Sequence, residues 1–230
     1  MSAELAGENA GYEVLEGEPP ELLARNLVSA GYLLAGATAF FFLAFLFAFF
    51  YLRSIDTPGN WKPHGVDTSL GWGTATVACW VASVVLVRLG AVDQRSERPA
   101  QWRLKGFAAF LLGFAGLVLQ VVTWTQQSLG PTGGAFASVY VGWTAFLSVW
   151  VLGTLFWLET VLATSWRYRK HLHAAVDVPP GHASGDPHRT AHDIADPLAL
   201  NTSELGALSF FWTFLGGIAV LAWVVLYLVA

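Results

Sequence analysis

Five stretches of this chain run for about the thickness of a bilayer without a charged residue inside them, and that property decides the fold class. They extend from about Val28 to Leu52, Leu70 to Val87, Gly106 to Trp124, Ala135 to Leu158 and Leu205 to Ala230. A hydrocarbon core needs about 20 apolar residues per helical crossing. Strands of a membrane barrel would alternate apolar and polar residues at every second position, which these runs do not. Helices satisfy their own backbone groups inside lipid, so the expected fold is all-α, an integral membrane bundle of five transmembrane helices. Composition agrees. Charged residues are 12% of the chain, against about 25% in a soluble domain, too few to cover a water-soluble surface. That balance excludes a soluble enzyme and a nucleic-acid binder, and the single cysteine excludes an intrachain disulfide.

Charge also orients the chain. Residues 1–24 form an acidic tail in which Glu4, Glu8, Glu13, Glu16, Glu18 and Glu21 precede the first basic residue, Arg25. A signal peptide has the opposite pattern, a basic start and an early apolar run. Residues 25–230 read as one transmembrane domain. Of the 12 Lys and Arg, only Arg53 and Lys62 fall in the first connection, and the others cluster in the tail, the second connection and the fourth. Because basic residues collect on the cytoplasmic side, the N-terminus is expected to be cytoplasmic and the C-terminus external. The fourth connection, about 165–203, is rich in Pro, Gly, Asp and His and is expected to hold little regular structure.

Ionisable side chains inside a membrane mark redox and transport sites. Here all six histidines lie outside the expected spans, at His64, His171, His173, His182, His188 and His192, and Met1 is the only methionine. A haem held between helices by His or Met has no ligand in these spans. No catalytic, cofactor-binding or metal residue is assigned. His188 and His192, four apart beside Asp193, form only a weak metal pattern. Glu159 stands about 12 Å of helix rise before Arg167; a carboxylate at the headgroup boundary, paired with a basic residue, is the preferred reading over a protonatable group facing a partner. Trp143, Trp150 and Trp157 recur every seven residues and mark one packing stripe. Trp61, in a Pro- and Gly-rich loop, suits an interfacial anchor. Ala44, Ala48, Gly113 and Gly116 are positions where helix backbones can approach.

Several local patterns occur in the order found in a known family. They are Phe41-Phe42-Leu43-Ala44-Phe45-Leu46-Phe47-Ala48-Phe49-Phe50 in the first span, Asn60-Trp61-Lys62-Pro63 after it, Gln120-Val121-Val122-Thr123-Trp124, Gly142-Trp143-Thr144-Ala145-Phe146-Leu147, and Phe211-Trp212-Thr213-Phe214. Together they resemble subunit III of the haem-copper cytochrome c oxidases, in its short five-helix form, over about residues 28–230. The family's Trp-Pro-Pro turn, Gln-x-x-Glu-Trp, Gly-Phe-His-Gly-x-His and Tyr-Trp-His-Phe patterns fall on the last four segments. The departures are systematic. The family's ionisable residues correspond to Thr38, Thr123, Thr144, Leu147, Thr213 and Gly216, all neutral.

The resemblance implies a non-catalytic accessory subunit of a respiratory terminal oxidase. Partner subunits I and II would carry haem and copper, reduce O₂ and translocate protons, while this chain packs beside the catalytic subunit and binds membrane lipid, with structural phospholipid in its grooves. The setting implied is the inner (plasma) membrane of a prokaryote. Thr38, Trp61, Gln120, Thr123, Trp124, Gly142, Thr144, Glu159, Trp212 and Thr213 are then positions for packing or lipid contact. Two alternatives stay open, a similar component of a nitric oxide reductase and a transporter or channel subunit. The latter needs a polar pathway, for which the spans offer only hydroxyls, Gln120, Gln126 and Gln127.

Overall fold

A computed structural model describes residues 20–55, 61–62, 68–127, 130, 132–176 and 197–230. Every regular element among them is helical: α1 (Pro20–Ser54), α2 (Leu70–Arg95), α3 (Pro99–Gln126), α4 (Ala135–Val176) and α5 (Pro197–Trp223), which widens into a terminal π turn over Val224–Val229. All five helices are long and apolar enough to cross a membrane. The chain is an all-α, multi-pass membrane bundle, as its hydropathy pattern requires.

The helices outrun the apolar stretches, and the cause is physical. A hydropathy reading stops at the first charge, whereas the backbone stays helical after it leaves the hydrocarbon. Thus α2 passes Arg88 and continues to Arg95, and the second connection shrinks to a tight turn. The Arg98 amide bonds the Asp93 carbonyl and the Glu97 amide bonds the Gln94 carbonyl, with Glu97 at φ 56°. This is the paired closure of a helix C-terminus, and Pro99 opens α3 where no amide donor is needed. The expected irregular stretch at 165–203 is corrected in the same way. Helix α4 occupies its first part to Val176 and α5 begins at Pro197. His64, His182, His188 and His192 lie outside the described residues, as does the acidic segment 1–19.

Without water to expel from between them, membrane helices associate through close packing and hydrogen bonds. The closest pair is α2 with α3. The buried positions of α3 are Trp102, Gly106, Ala109, Gly113, Gly116, Gln120 and Thr123, an alternation of four and three that keeps one seam facing its partner. On α2 the matching seam runs through Gly73, Thr76, Trp80, Ser83, Val87 and Gly90. Small residues on one side receive indoles from the other: a Cβ at Gly116 would stand 2.4 Å from Trp80 Nε1, and one at Gly90 would stand 2.5 Å from Trp102 Cε3. Helix α5 packs against α1, α2 and α4, and α3 closes the gap between α2 and α4. The outer faces stay greasy. In α1, Phe42 and Phe49 are buried whereas Phe40 and Phe47 are 77% and 70% exposed, so its rings serve both neighbours and lipid.

Candidate functional site

Polar side chains inside the bundle must find partners, since unpaired ones are costly in lipid. They gather in three places. At mid-bundle Ser83 joins three helices. Its hydroxyl donates to the Ala109 carbonyl of α3 at 2.7 Å and accepts from Trp212 Nε1 of α5 at 3.1 Å. Trp80 Nε1 adds a bond to the Gly113 carbonyl at 3.3 Å. We expect Ser83→Ala to lower stability by about 1–2 kcal/mol, because it strands the buried Trp212 donor. A shift in the unfolding midpoint in mixed detergent micelles measures this, and no shift would contradict the three-helix tie.

At the end carrying Trp61 and the C-terminus, a second group forms. Trp124 Nε1 donates to Thr144 Oγ1 at 3.0 Å, and Thr144 donates to the Tyr140 carbonyl at 2.7 Å. The Tyr140 and Tyr227 hydroxyls meet at 2.6 Å. The π turn carries the Tyr227 ring into the notch left by Gly73, where a Cβ would come within 2.3 Å. Gln120 and Gln127 are buried nearby, with Gln120 Nε2 and the Gln127 amide lacking partners among the described residues. A cavity of about 20 Å³ lies among Gln120, Thr144, Leu147 and Tyr227, room for a single water. Hydroxyls, amides and indoles of this kind hold helices together and offer no carboxylate or imidazole for proton transfer.

The third group lies at the opposite end, where α1 and α5 begin and α2 ends. A cleft of about 420 Å³ opens there between Tyr32 of α1, Arg88 and Arg95 of α2, and Phe210 of α5. Thr213 fixes one of its cations. Its hydroxyl accepts a hydrogen bond from Arg88 Nε at 2.9 Å and donates one to the Ser209 carbonyl at 2.7 Å. Tyr32 and Phe210 meet edge to face at 4.5 Å. Two acidic groups at this end are engaged, Asp93 by an ion pair with Lys105 and Glu204 by Trp157 Nε1 at 3.1 Å.

The ten positions marked in the sequence therefore separate. Gln120, Trp124 and Thr144 converge on the tyrosine pair, Trp212 belongs to the serine tie, and Thr213 holds Arg88. Thr38 and Thr123 are buried and bond back to their own helices, at the Leu34 and Leu119 carbonyls, each at 2.7 Å. Gly142 gives room to Phe45, whose Cε1 would be 3.0 Å from an added Cβ. Trp61 differs from its expected role as a membrane anchor. It is buried, edge-on to Phe49 and Phe136, and its carbonyl accepts the Phe136 amide. Two further aromatic rings on adjoining elements outcompete lipid for its face.

Glu159 is exposed on α4. About 36 Å of helix rise separates it from Ala135, more than the ~30 Å of hydrocarbon, so a helix entering the membrane at Ala135 has the length to carry it beyond the apolar core. The expected basic partner is not found among the described residues. Of the tryptophan stripe, Trp143 is buried while Trp150 and Trp157 pack against Phe211. Ala44 is exposed, but Gly113 and Gly116 do provide close approach. Ser83, Arg88, Tyr140 and Tyr227 are the functional positions that sequence reasoning passed over. The heptad phase of α2, Thr76 to Ser83 to Gly90, is the signal that would have found the first. Among the described residues no group of three His, Cys, Asp or Glu is placed to hold a metal. No family model matches the chain, and no curated protein matches it.

Proposed function

We propose that the chain is a non-catalytic accessory subunit, similar to subunit III, of a respiratory haem-copper terminal oxidase in a prokaryotic inner membrane, with its N-terminus cytoplasmic. The observation that carries this reading is the hydrogen bond between Trp124 and Thr144. These residues come from two of the five motif segments, on different helices, and chance matches in a Trp- and Phe-rich chain have no reason to touch through their marked side chains. A second support is the division of labour in the bundle. Its interior polar groups that bond across helices, Ser83, Trp124, Thr144 and Trp212, serve as ties, whereas its outer faces, such as Val149, Leu152 and Phe156 on α4, are broad and apolar. Such a body adds packing area and holds lipid beside a partner. In this reading haem, copper, O₂ reduction and proton translocation belong to subunits I and II.

The test is purification of the tagged chain from its native membrane in mild detergent. Haem-bearing partners are expected, identified by mass spectrometry and by a reduced-minus-oxidised haem spectrum. A monodisperse chain with neither partner nor haem overturns the proposal, and a copurifying nitric oxide reductase subunit shifts it to that enzyme. Within the intact complex, Thr123→Ala is expected to leave turnover essentially unchanged, because among the described residues Thr123 bonds its own helix, at the Leu119 carbonyl. A large loss of turnover with assembly intact would count against a purely mechanical role.

A further inference from the structure

The arginine-bearing cleft presents two chemistries side by side. Arg95, the last residue of α2, is exposed and has no carboxylate partner among the described residues. Arg88 is held through Nε by Thr213, which leaves its terminal nitrogens to the cleft. No acidic side chain lines the space. The remaining wall is apolar, with Tyr32 and Phe210 edge to face and Leu89 and Val92 on the α2 side. An occupant that satisfies both has to carry anionic groups for the guanidinium pair and apolar groups close beside them. The chain itself supplies such a segment. Tyr12-Glu13-Val14-Leu15-Glu16-Gly17-Glu18 interleaves carboxylates with aromatic and aliphatic side chains, and no Lys or Arg precedes Arg25. The segment joins the bundle beside the cleft. Helix α1 begins at Pro20, and Val28, which lines the cleft, lies about 12 Å further along the axis. Glu18 and Glu13 precede Pro20 by two and seven residues, lengths of chain that reach at most about 7 and 25 Å. That reach covers the distance back to the cleft. A short tether also holds its ligand at an effective concentration on the order of 1 mM, so contacts that are weak between separate molecules suffice here.

We infer that the cleft is a docking site for this chain's own acidic segment, with carboxylates of Glu13, Glu16 and Glu18 on Arg88 and Arg95, and Val14 and Leu15 against Tyr32 and Phe210. Thr213 is a positioning residue, since it acts through Arg88. Docking ties the chain ahead of α1 to the end of α2 and to α5. Neither the cleft nor the segment depends on the oxidase reading, so a chain that brings down no haem can still dock its tail.

The test places the photoreactive residue p-benzoylphenylalanine at Val14 of the full chain, irradiates native membranes and maps the products by mass spectrometry. A crosslink within the same chain is expected, to the cleft wall at Leu89, Val92 or Phe210. Co-expression of two differently tagged copies separates crosslinks within a chain from those between chains. Glu13→Gln/Glu16→Gln/Glu18→Gln should lower the yield at least about fivefold, as the loss of several partly exposed ion pairs requires, and high salt should lower it too. Arg88→Gln/Arg95→Gln should match that loss. Glu4→Gln/Glu8→Gln removes charge outside the docking segment and should leave the yield within about twofold of the parent, since distant exposed charges are screened. The tail substitutions lie outside the described helices, so they decide the matter even where the arginine variant fails to fold. A crosslink to phospholipid, to another polypeptide or to a second copy would overturn the inference. So would the absence of any crosslink to the cleft, a yield unchanged by the Glu13, Glu16 and Glu18 substitutions, or an equal loss in Glu4→Gln/Glu8→Gln.

Discussion

Gly116→Leu is expected to separate α2 from α3 and to cost about 3 kcal/mol or more. An added Cβ would stand 2.4 Å from Trp80 Nε1 and 2.5 Å from its Cδ1. The indole cannot retreat cheaply. It is buried, its Nε1 is committed to the Gly113 carbonyl at 3.3 Å, and the spaces beside it measure only about 10 and 20 Å³. Overpacking is therefore joined by the loss of a buried hydrogen bond, worth about 1 kcal/mol by itself. Gly153 supplies the control. It lies on an exposed face of α4 with no atom within 4 Å of an added Cβ, so Gly153→Leu should stay within about 0.5 kcal/mol of the parent. Unfolding midpoints in mixed micelles compare the two, and a similar loss in both variants would show that glycine content matters here rather than the α2–α3 notch.

That contrast also shows how far the sequence could be read. Five crossings were legible because lipid imposes one simple demand, the exclusion of charge over a bilayer's thickness. Their ends were not, because the demand lapses at the headgroups. The first charge of α2, Arg88, looks like the start of a loop but sits inside a helix that ends only at Arg95. Gly113 and Gly116 could be recognised as places of close approach, since small residues at helical spacing have few other uses in lipid. What enters those notches could not. Trp80 and Trp102 are as apolar as any lipid-facing ring, and only the three-dimensional phase of two helices turns them inward. The candidate sites divide on the same line. Thr144 and Trp124 stood out through the motif resemblance, and their contact is simple to understand once α3 and α4 are adjacent. The cleft is lined by two arginines that charge counting had assigned to a loop, one of them held from behind by a marked residue, Thr213. Its existence depends on three helix ends meeting, which no local pattern records.

Trp102→Ala is expected to have the largest effect of any single truncation, about 3–5 kcal/mol. The indole is 0% exposed and Nε1 has no hydrogen-bond partner among the described residues, so its contribution is packing alone. It fills a joint between three helices. Gly90 of α2 faces its ring, Gly106 of its own helix would place a Cβ 3.0 Å away, and Leu162 of α4 closes on the same glycine at 2.6 Å. Removing the ring leaves a void that glycines cannot refill, since they have no side chains to move into it. A double-variant cycle separates this account from a general loss of hydrophobicity. Gly90→Ala alone should destabilise, because its Cβ would lie 2.5 Å from the Trp102 ring. In the Trp102→Ala background the same methyl meets empty space and should cost nothing or restore a little stability. Contacting residues couple by about 0.5–3 kcal/mol, and the coupling here should reach at least the middle of that range. Strict additivity of the two changes would mean that the ring does not occupy the glycine notch, and the packing of α2 against α3 would need a different register.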